Sequence, residues 1–215
     1  MRQVDYVLFD CDGVLVDSEP VTNRVLRDDL AQHGLDMAVD QVIDLFVGGT
    51  MAGVMVEARK MGADLPDDWL DHIYAQMFTA LEAECDVIPG VPAMLDALDR
   101  AGIGYAVGSN GPMAKMEVTL ARCGLRDRLG ECVFSSHDCP APKPAPDVYL
   151  KAAAHAGMTP VQCVVIEDSA SGARAAKAAG MRCIGFAAAG QDDVLAPHCD
   201  ALARDMAAVG RLLGV

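Results

Sequence analysis

The chain has 215 residues, of which 52% are hydrophobic and 22% are charged, so it can bury a sizeable core and is ordinary in composition for a globular protein. Its 17 lysines and arginines stand against 31 aspartates and glutamates, which gives a formal net charge of −14. Because a surface this acidic repels phosphate backbones and anionic lipids, nucleic acid and membrane are excluded as expected partners.

Neither a membrane span nor a secretion signal is predicted. No stretch reaches the roughly 18 apolar residues of a membrane span. The first residues, MRQVDYVLFD, lack the long apolar segment and the small-residue cleavage site of a secretory signal. The 8 cysteines form no CxxC pair and have no metal-like spacing with the histidines. We therefore expect reduced, buried thiols in a cytoplasmic protein.

Five short apolar runs predict β-strands, at 4–9, 103–107, 132–135, 163–166 and 182–186. Each run is nearly continuous rather than alternating, which is typical of strands covered on both faces. Between them lie helix-like segments that stop on a glycine, a residue that accepts the left-handed conformation just past a helix end. These helical segments are 92–101, 113–123, 146–156 and 170–179.

The alternation of strand and helix predicts an α/β fold with a doubly wound, Rossmann-like parallel sheet. The stretch from about residue 20 to residue 85 breaks this alternation, since it has helical patterns at 21–33 and 51–61 but no convincing strand. Gly48 with Gly49, and the stretch 65–68, are interpreted as connections between helices. We therefore predict a catalytic core at 1–16 and 87–215 and an inserted helical cap at 17–86.

Chemically active side chains follow four of the predicted strands. Ligands of open parallel sheets bind beyond the carboxyl ends of the strands, so residues at these positions are candidates for a site. In chain order they are Asp10 and Asp12, then Ser109 and Asn110, then Lys143 in a proline-rich loop, then Glu167 and Asp168. We expect all of them to meet at one edge of the sheet.

Four converging carboxylates would repel one another without a counter-ion. A hard divalent cation removes this conflict, and carboxylate oxygens are ligands that suit Mg²⁺. The metal, Lys143 and the Ser109 hydroxyl would then surround a phosphoryl group and neutralise its charge in the transition state. Asp10, the first residue after its strand, is the natural nucleophile. Asp12 is placed to protonate the leaving oxygen and then to activate water.

Each of these residues also has an ordinary structural interpretation. An acid or hydroxyl after a strand, such as Asp168 or Ser169, is often only a helix N-cap. A single Lys143 would be a solvated loop charge, and a single Ser109 would be a turn residue. The joint arrangement, in this chain order, is what favours a functional site.

The four motifs resemble those of the haloacid dehalogenase-like superfamily. DCDGVLVDSE at 10–19 resembles its first motif, SNG at 109–111 its second, Lys143 in KPAPDVY its third and EDSASGARAAKAAG at 167–180 its fourth. The helical insertion is similar to the cap of the beta-phosphoglucomutase-like branch. SNGP followed by a helix that contains KM also resembles the capped sugar-phosphate phosphatases.

This resemblance implies roles for the individual residues. Asp10 would be phosphorylated, and Asp12 would be the acid and base. Asp10, Asp168 and the backbone carbonyl of Asp12 would bind Mg²⁺, with Glu167 assisting directly or through water. The groups that would hold the phosphoryl oxygens are Ser109, Asn110 and Lys143.

The predicted function is hydrolysis of a small phosphomonoester, a sugar phosphate or similar, through a phospho-aspartate. A dehalogenase would lack the second aspartate, and Asp12 is present. Family mutases carry a histidine in the hinge and a basic residue in the first cap loop, where simple alignment from Asp10 gives Thr22 and Met51. A sugar phosphomutase is the alternative, and a non-catalytic binding protein on the same fold is less favoured because the catalytic set is intact. The natural substrate and the oligomeric state cannot be predicted from the sequence.

Overall fold

The computed structural model describes residues 4–46, 50–188 and 190–215. The strands are β1 (Tyr6–Phe9), β2 (Val16–Asp17), β3 (Asp86–Val87), β4 (Gly104–Ser109), β5 (Val133–Ser135), β6 (Cys163–Glu167), β7 (Arg182–Phe186) and β8 (Ala201–Ala203). The helices are α1 (Glu19–Gln32), α2 (Val39–Phe46), α3 (Met51–Lys60), α4 (Trp69–Glu84), α5 (Val91–Ala101), α6 (Met113–Arg122), α7 (Arg126–Leu129), α8 (Asp147–His155), α9 (Ala170–Ala178), α10 (Asp192–Leu195) and α11 (Met206–Leu213).

The chain divides into two compact units. One combines Met1–Asp17 with Asp86–Val215, and the other is Ser18–Cys85. The predicted division at 17–86 lies one residue outside the second unit at each end. The chain leaves the first unit after β2 and returns at β3, and these two short strands form an antiparallel ribbon in which Asp17 is paired with Asp86.

Six strands form one parallel sheet in the order β5-β4-β1-β6-β7-β8, which confirms the predicted α/β fold. The central strand β1 is paired with β4 and β6, so that Phe9 has Val107 and Ile166 as its neighbours. Every residue of β1 and β6 is buried, which is why these strands are continuous apolar runs in the sequence. The sixth strand, β8, was not predicted because its three residues, ALA, carry no distinctive pattern.

Helices cover the sheet as expected for a doubly wound fold. Helices α8 and α9 share one hydrophobic cluster with Tyr6 and Leu8 of β1. Helix α5 packs against β4 and α11, and α11 also packs against β8. The four predicted helices of this unit are observed as α5, α6, α8 and α9, with ends shifted by at most one residue.

The unit at 18–85 is helical, as predicted for the insertion. Its core is built around Leu30, Trp69 and Ile73, none of which is exposed. Buried Asp29 of α1 accepts hydrogen bonds from Trp69 Nε1 at 2.5 Å and from Gln76 Nε2 at 2.9 Å, which ties α1 to α4. The predicted connection at 65–68 lies between α3 and α4, whereas the predicted connection at Gly48 and Gly49 lies outside the described residues.

In the described parts of the chain no single helix is both long and apolar enough to cross a membrane; only α2 and α3 taken together reach that length and composition. All eight cysteines are free thiols.

Candidate active site

Asp10 lies directly beyond the carboxyl end of β1, where its backbone is held by the sheet. Its N–H donates to the carbonyl of Ile166 at 3.0 Å, which continues the ladder between β1 and β6 by one residue. The side chain is largely buried, with 12% of its surface exposed. The peptide hydrogen bond therefore fixes the position at which the Asp10 carboxylate enters the site.

The chain turns sharply after Asp10. Gly13 has a φ of +77°, a conformation that glycine adopts without steric penalty, and its N–H donates to the carbonyl of Val16 at 2.9 Å. A Cβ at Gly13 would lie 1.9 Å from Oδ2 of Asp168. Glycine is required here for two reasons, because it permits the turn and because it leaves the space that the Asp168 carboxylate fills.

Ser109 and Asn110 follow β4. Ser109 is buried, and its Oγ accepts the N–H of Gly111 at 2.9 Å. Asn110 Oδ1 accepts the backbone N–H of Lys143 at 2.9 Å, and its Nδ2 donates to the backbone carbonyl of Lys143 at 3.3 Å. The Asn110 amide thus holds the backbone of Lys143 by two hydrogen bonds, and it fixes the position of that residue.

Lys143 is the centre of the buried ionic cluster. Its side chain is only 3% exposed, and its Nζ donates to Asp10 Oδ1 at 2.5 Å and to Glu167 Oε1 at 2.7 Å. The ammonium group also lies 4.6 Å from the centre of the Tyr149 ring, within the range of a cation–π interaction. Burial alone would lower the pKa of Lys143, but the two carboxylates raise it above its usual value, so the lysine stays charged.

Glu167 ends β6 and is completely buried. Its Oε1 accepts from Lys143 and from the Tyr149 hydroxyl at 2.7 Å, and its Oε2 accepts from the Ser169 N–H at 3.1 Å and the Ser169 hydroxyl at 2.9 Å. A Cβ at Gly172 would lie 1.5 Å from Oε1, so the carboxylate packs directly against the first turn of α9. Four donors fill the usual acceptor positions of a carboxylate, which makes Glu167 a rigid anchor for Lys143.

Asp12 forms a second ion pair. Lys115, in the first turn of α6, donates from Nζ to Asp12 Oδ1 at 2.7 Å. Burial would lower the pKa of Lys115, but Asp12 raises it above its usual value, so the ammonium form persists at neutral pH. The structure therefore brings a second lysine to the strand ends, where the sequence predicted only Lys143.

Asp10, Glu167 and Asp168 form an acidic group that could hold a metal ion, since one carboxylate oxygen from each lies within 4.8 Å of the others. Its three members are carboxylates, and carboxylate oxygens are the ligands that hard divalent cations such as Mg²⁺ take. The absence of a side chain at Gly13 leaves the space in which the Asp168 carboxylate joins this acidic group.

The pKa of Asp10 is raised from 3.8 to about 7. Burial is the main cause, Lys143 partly offsets it, and the negative charges of Glu167 and Asp12 add to it. Burial thus outweighs the ion pair with Lys143, and the Asp10 carboxyl group keeps its proton up to near neutral pH. This is the electrostatic situation that a bound cation would correct.

Two residues of the site were not predicted, Lys115 and Tyr149. Both are the third residue of the helix that follows a site loop, so each reaches back toward the strand ends from a first helical turn. For Lys115 a signal was available in the sequence, because a lysine in the first turn of a helix opposes the helix dipole. For Tyr149 the apolar pattern of its helix gave no such signal.

Known proteins with similar sequences cover most of this chain. A model of the haloacid dehalogenase-like hydrolases matches residues 4–180. The chain is 30% identical over 195 residues to hexitol phosphatase B of Escherichia coli (strain K12), covering 85% of this chain and 83% of that protein. It is 31% identical over 180 residues to fructose-1-phosphate phosphatase YqaB of the same organism, covering 81% of this chain and 92% of that protein.

Two further matches extend the comparison. The chain is 31% identical over 189 residues to the chloroplastic protein SUPPRESSOR OF QUENCHING 1 of Arabidopsis thaliana, covering 85% of this chain but 18% of that protein. The crystal structure of a haloacid dehalogenase (HAD) family hydrolase from Deinococcus radiodurans R1, with bound phosphate and sodium, has a TM-score of 0.83 and is 31% identical. That alignment covers 100% of this chain and 96% of the other.

Proposed function

The chain belongs to the haloacid dehalogenase-like hydrolase family, and we propose that it is a magnesium-dependent phosphatase that hydrolyses a small sugar phosphate, or a similar phosphomonoester, through a phospho-aspartate on Asp10. The predicted family is confirmed, and so is the predicted enzyme class, a phosphoric monoester hydrolase, since phosphatase relatives cover most of the chain. The finer proposal depends on one observation. Asp10, Lys143, Glu167 and Asp168 are buried or half-buried together at the strand ends.

The residues that would hold Mg²⁺ are Asp10 and Asp168, with Glu167 close enough to add its charge. When bound, the cation would neutralise oxygens of the phosphoryl group in the transition state. Because Glu167 already accepts four hydrogen bonds, we propose that it mainly orients Lys143 and strengthens the negative field around the metal.

In the first half of the proposed reaction, a carboxylate oxygen of Asp10 attacks phosphorus and the bond from phosphorus to the leaving oxygen breaks. Asp12 gives a proton to that oxygen, so the product leaves as an alcohol. Lys143 already contacts Asp10, and it is placed to balance the charge of the phosphoryl oxygens. Ser109 lies close to Asp12. A Cβ built on Gly111 would lie 3.3 Å from Ser109 Oγ and 3.5 Å from Asp12 Oδ2.

In the second half, water attacks the phosphoryl group on Asp10. Asp12, now deprotonated, accepts a proton from this water, and the bond from phosphorus to Asp10 breaks to release inorganic phosphate. The same side chain thus acts as acid and then as base, and Asp10 returns to its starting state. This sequence predicts that loss of Asp12 slows release of the phosphoryl group from the enzyme.

We propose sugar phosphates as the substrate class because two relatives with 30% and 31% identity are named for phosphatases of this kind. Hydrolysis is favoured over isomerisation because Thr22 and Met51 stand where family mutases carry the hinge histidine and the basic residue of the first cap loop. Thr22 Oγ1 donates to the backbone carbonyls of Ser18, the residue before α1, and of Glu19, so its hydroxyl is used at the start of the helix. Cytoplasmic location stays a prediction from the sequence.

The proposal is tested first with an aryl phosphate in the presence of Mg²⁺ and after chelation. Wild type should release phosphate only with the metal, and Asp10→Asn should lose at least a thousandfold of the activity while keeping its circular dichroism spectrum. The Asp12→Asn variant, mixed with the aryl phosphate and quenched in acid, should carry one added phosphoryl group by mass spectrometry. Activity of Asp10→Asn within tenfold of wild type would refute the assignment of the nucleophile.

The substrate class is tested with a panel of phosphorylated metabolites followed by phosphorus NMR. Hexose and hexitol phosphates should yield inorganic phosphate without an isomer. Rapid isomerisation of beta-glucose 1-phosphate, primed with its bisphosphate and giving little free phosphate, would instead establish the mutase.

A further inference from the structure

Lys115 does not belong to the four motifs, yet it contacts the proposed acid and base. It is the third residue of α6, and its Nζ lies 2.7 Å from Asp12 Oδ1 across a separation of 103 residues. The side chains are 20% exposed for Lys115 and 24% exposed for Asp12, so the pair is shielded from most of the solvent. A lysine in the first turn of a helix opposes the helix dipole, so the helix itself gains nothing from this charge.

Gly111 borders the pair. A Cβ at Gly111 would lie 3.5 Å from Asp12 Oδ2, 3.9 Å from Lys115 Cδ and 3.3 Å from Ser109 Oγ. The stem of Lys115 therefore runs along the same small space that the Asp12 carboxylate and the Ser109 hydroxyl border. Lys115 approaches this space from the helix that follows β4, whereas Asp12 approaches it from the turn that follows β1.

We propose that Lys115 is a positioning residue that holds the Asp12 carboxylate in the orientation needed for proton transfer. The inference rests on the proposed function, because it assigns Lys115 a part in the acid and base steps of that reaction. Asp12 lies on a turn, and the ion pair on Oδ1 reduces the freedom of its carboxylate before the substrate arrives. An ion pair without a part in proton transfer would contribute little, and its loss would affect every substrate equally.

Proton donation matters most for a poor leaving group. A sugar alkoxide needs a proton in order to leave, whereas p-nitrophenolate leaves without one. Since kcat/KM reports on the steps up to the formation of the phospho-aspartate, misplacing Asp12 should lower kcat/KM for a hexose phosphate and hardly change it for p-nitrophenyl phosphate. General acid catalysis contributes roughly 10²–10⁴-fold, which sets the scale of the expected loss.

The test measures kcat/KM of Lys115→Met and Lys115→Arg on both substrates with saturating Mg²⁺. Lys115→Met should lose about a hundredfold with the best hexose phosphate and less than threefold with p-nitrophenyl phosphate, at the scale expected for a general acid. Lys115→Arg, which keeps the charge, should recover at least tenfold of the loss with the hexose phosphate. The exposed Lys177 on α9 offers the matched control, and Lys177→Met should behave as wild type.

A double-mutant cycle tests the dependence on Asp12. If Lys115 acts through Asp12, then Asp12→Asn with Lys115→Met should be no slower than Asp12→Asn alone on the hexose phosphate. Equal losses of Lys115→Met on both substrates, or multiplied losses in the double variant, would overturn the inference while leaving the phosphatase activity established. A wild-type enzyme that releases phosphate from neither substrate would overturn the proposed function, and the inference with it.

Discussion

Replacing Asp10 with asparagine should make the metal-free protein more stable at neutral pH. The carboxyl group of Asp10 has a pKa of about 7 in the folded protein against 3.8 for an ordinary aspartate, mainly because of burial. Between these two values the folded state binds a proton that the unfolded state has released, so stability falls as pH rises. The protonated Asp10 therefore gives its full contribution to the free energy of unfolding below about pH 4. This contribution is lost as the pH rises to about 7. Asp10→Asn stays neutral throughout and keeps an amide oxygen for Lys143.

The size of the effect follows from the same values. A difference of about 3 pKa units corresponds to roughly 4 kcal/mol when each unit is worth 1.36 kcal/mol, and this is an upper limit for a buried pair. We therefore expect Asp10→Asn and wild type to unfold with the same free energy near pH 4, and the variant to be more stable by about 2–4 kcal/mol at pH 8. Mg²⁺ should remove most of this gap, since binding to wild type stabilises the folded state.

The assay is urea unfolding in EDTA at several pH values between 4 and 8, repeated with Mg²⁺. The matched control is Asp17→Asn, because Asp17 is an exposed aspartate on β2 in the same unit. It removes one exposed carboxylate and serves as the reference for the loss of a negative charge outside the site. If Asp10→Asn were less stable than wild type at pH 8 in EDTA, or if the gap were independent of pH, the electrostatic argument about this site would be wrong.

Three further predictions test other parts of the structure. Gly172→Ala should displace Glu167, lowering activity at least tenfold and the free energy of unfolding by about 1–3 kcal/mol. Gly53→Ala, at the same position of the capped helix α3, is the matched control. Its Cβ would meet only the Thr50 hydroxyl at 3.3 Å, so both losses should be much smaller. Calcium in place of magnesium should inhibit phosphate release in the aryl phosphate assay, because its longer and looser coordination suits the transferring phosphoryl group poorly; full activity with calcium would contradict this. Asp29→Ala should lower the free energy of unfolding by about 2 kcal/mol, because the buried indole N–H of Trp69 loses its acceptor. The measurement is urea unfolding followed by Trp69 fluorescence. Asp28→Ala, at a half-exposed aspartate, is the control and should change the free energy of unfolding little.

The sequence was sufficient to predict the sheet and the strand-end residues for one physical reason. Strands such as β1 and β6 are buried on both faces, so an apolar run ends abruptly where the chain meets solvent or a ligand. Asp10 and Glu167 stand at those ends. Short elements lack this contrast, which is why β8 and the ribbon of β2 and β3 were missed.

Contacts made from helices were harder to predict than positions at strand ends. Tyr149 fits the apolar pattern of α8, and only the folded structure reveals that its hydroxyl donates to Glu167. Asn110 is adjacent to Ser109 in the motif, but its amide is directed at the backbone of Lys143. Such pairings join residues that are distant in the chain, and side-chain periodicity carries no information about them.

The antiparallel ribbon has a topological consequence for the whole chain. Since Asp17 and Asp86 are paired neighbours, the helical unit departs from the sheet-containing unit and rejoins it through two adjacent points. The ends that any inserted segment must bridge are therefore fixed by the ribbon and not by the length or sequence of the insertion. An insertion attached in this way can become longer or shorter, or be exchanged for another, without moving Asp10 or the strand ends.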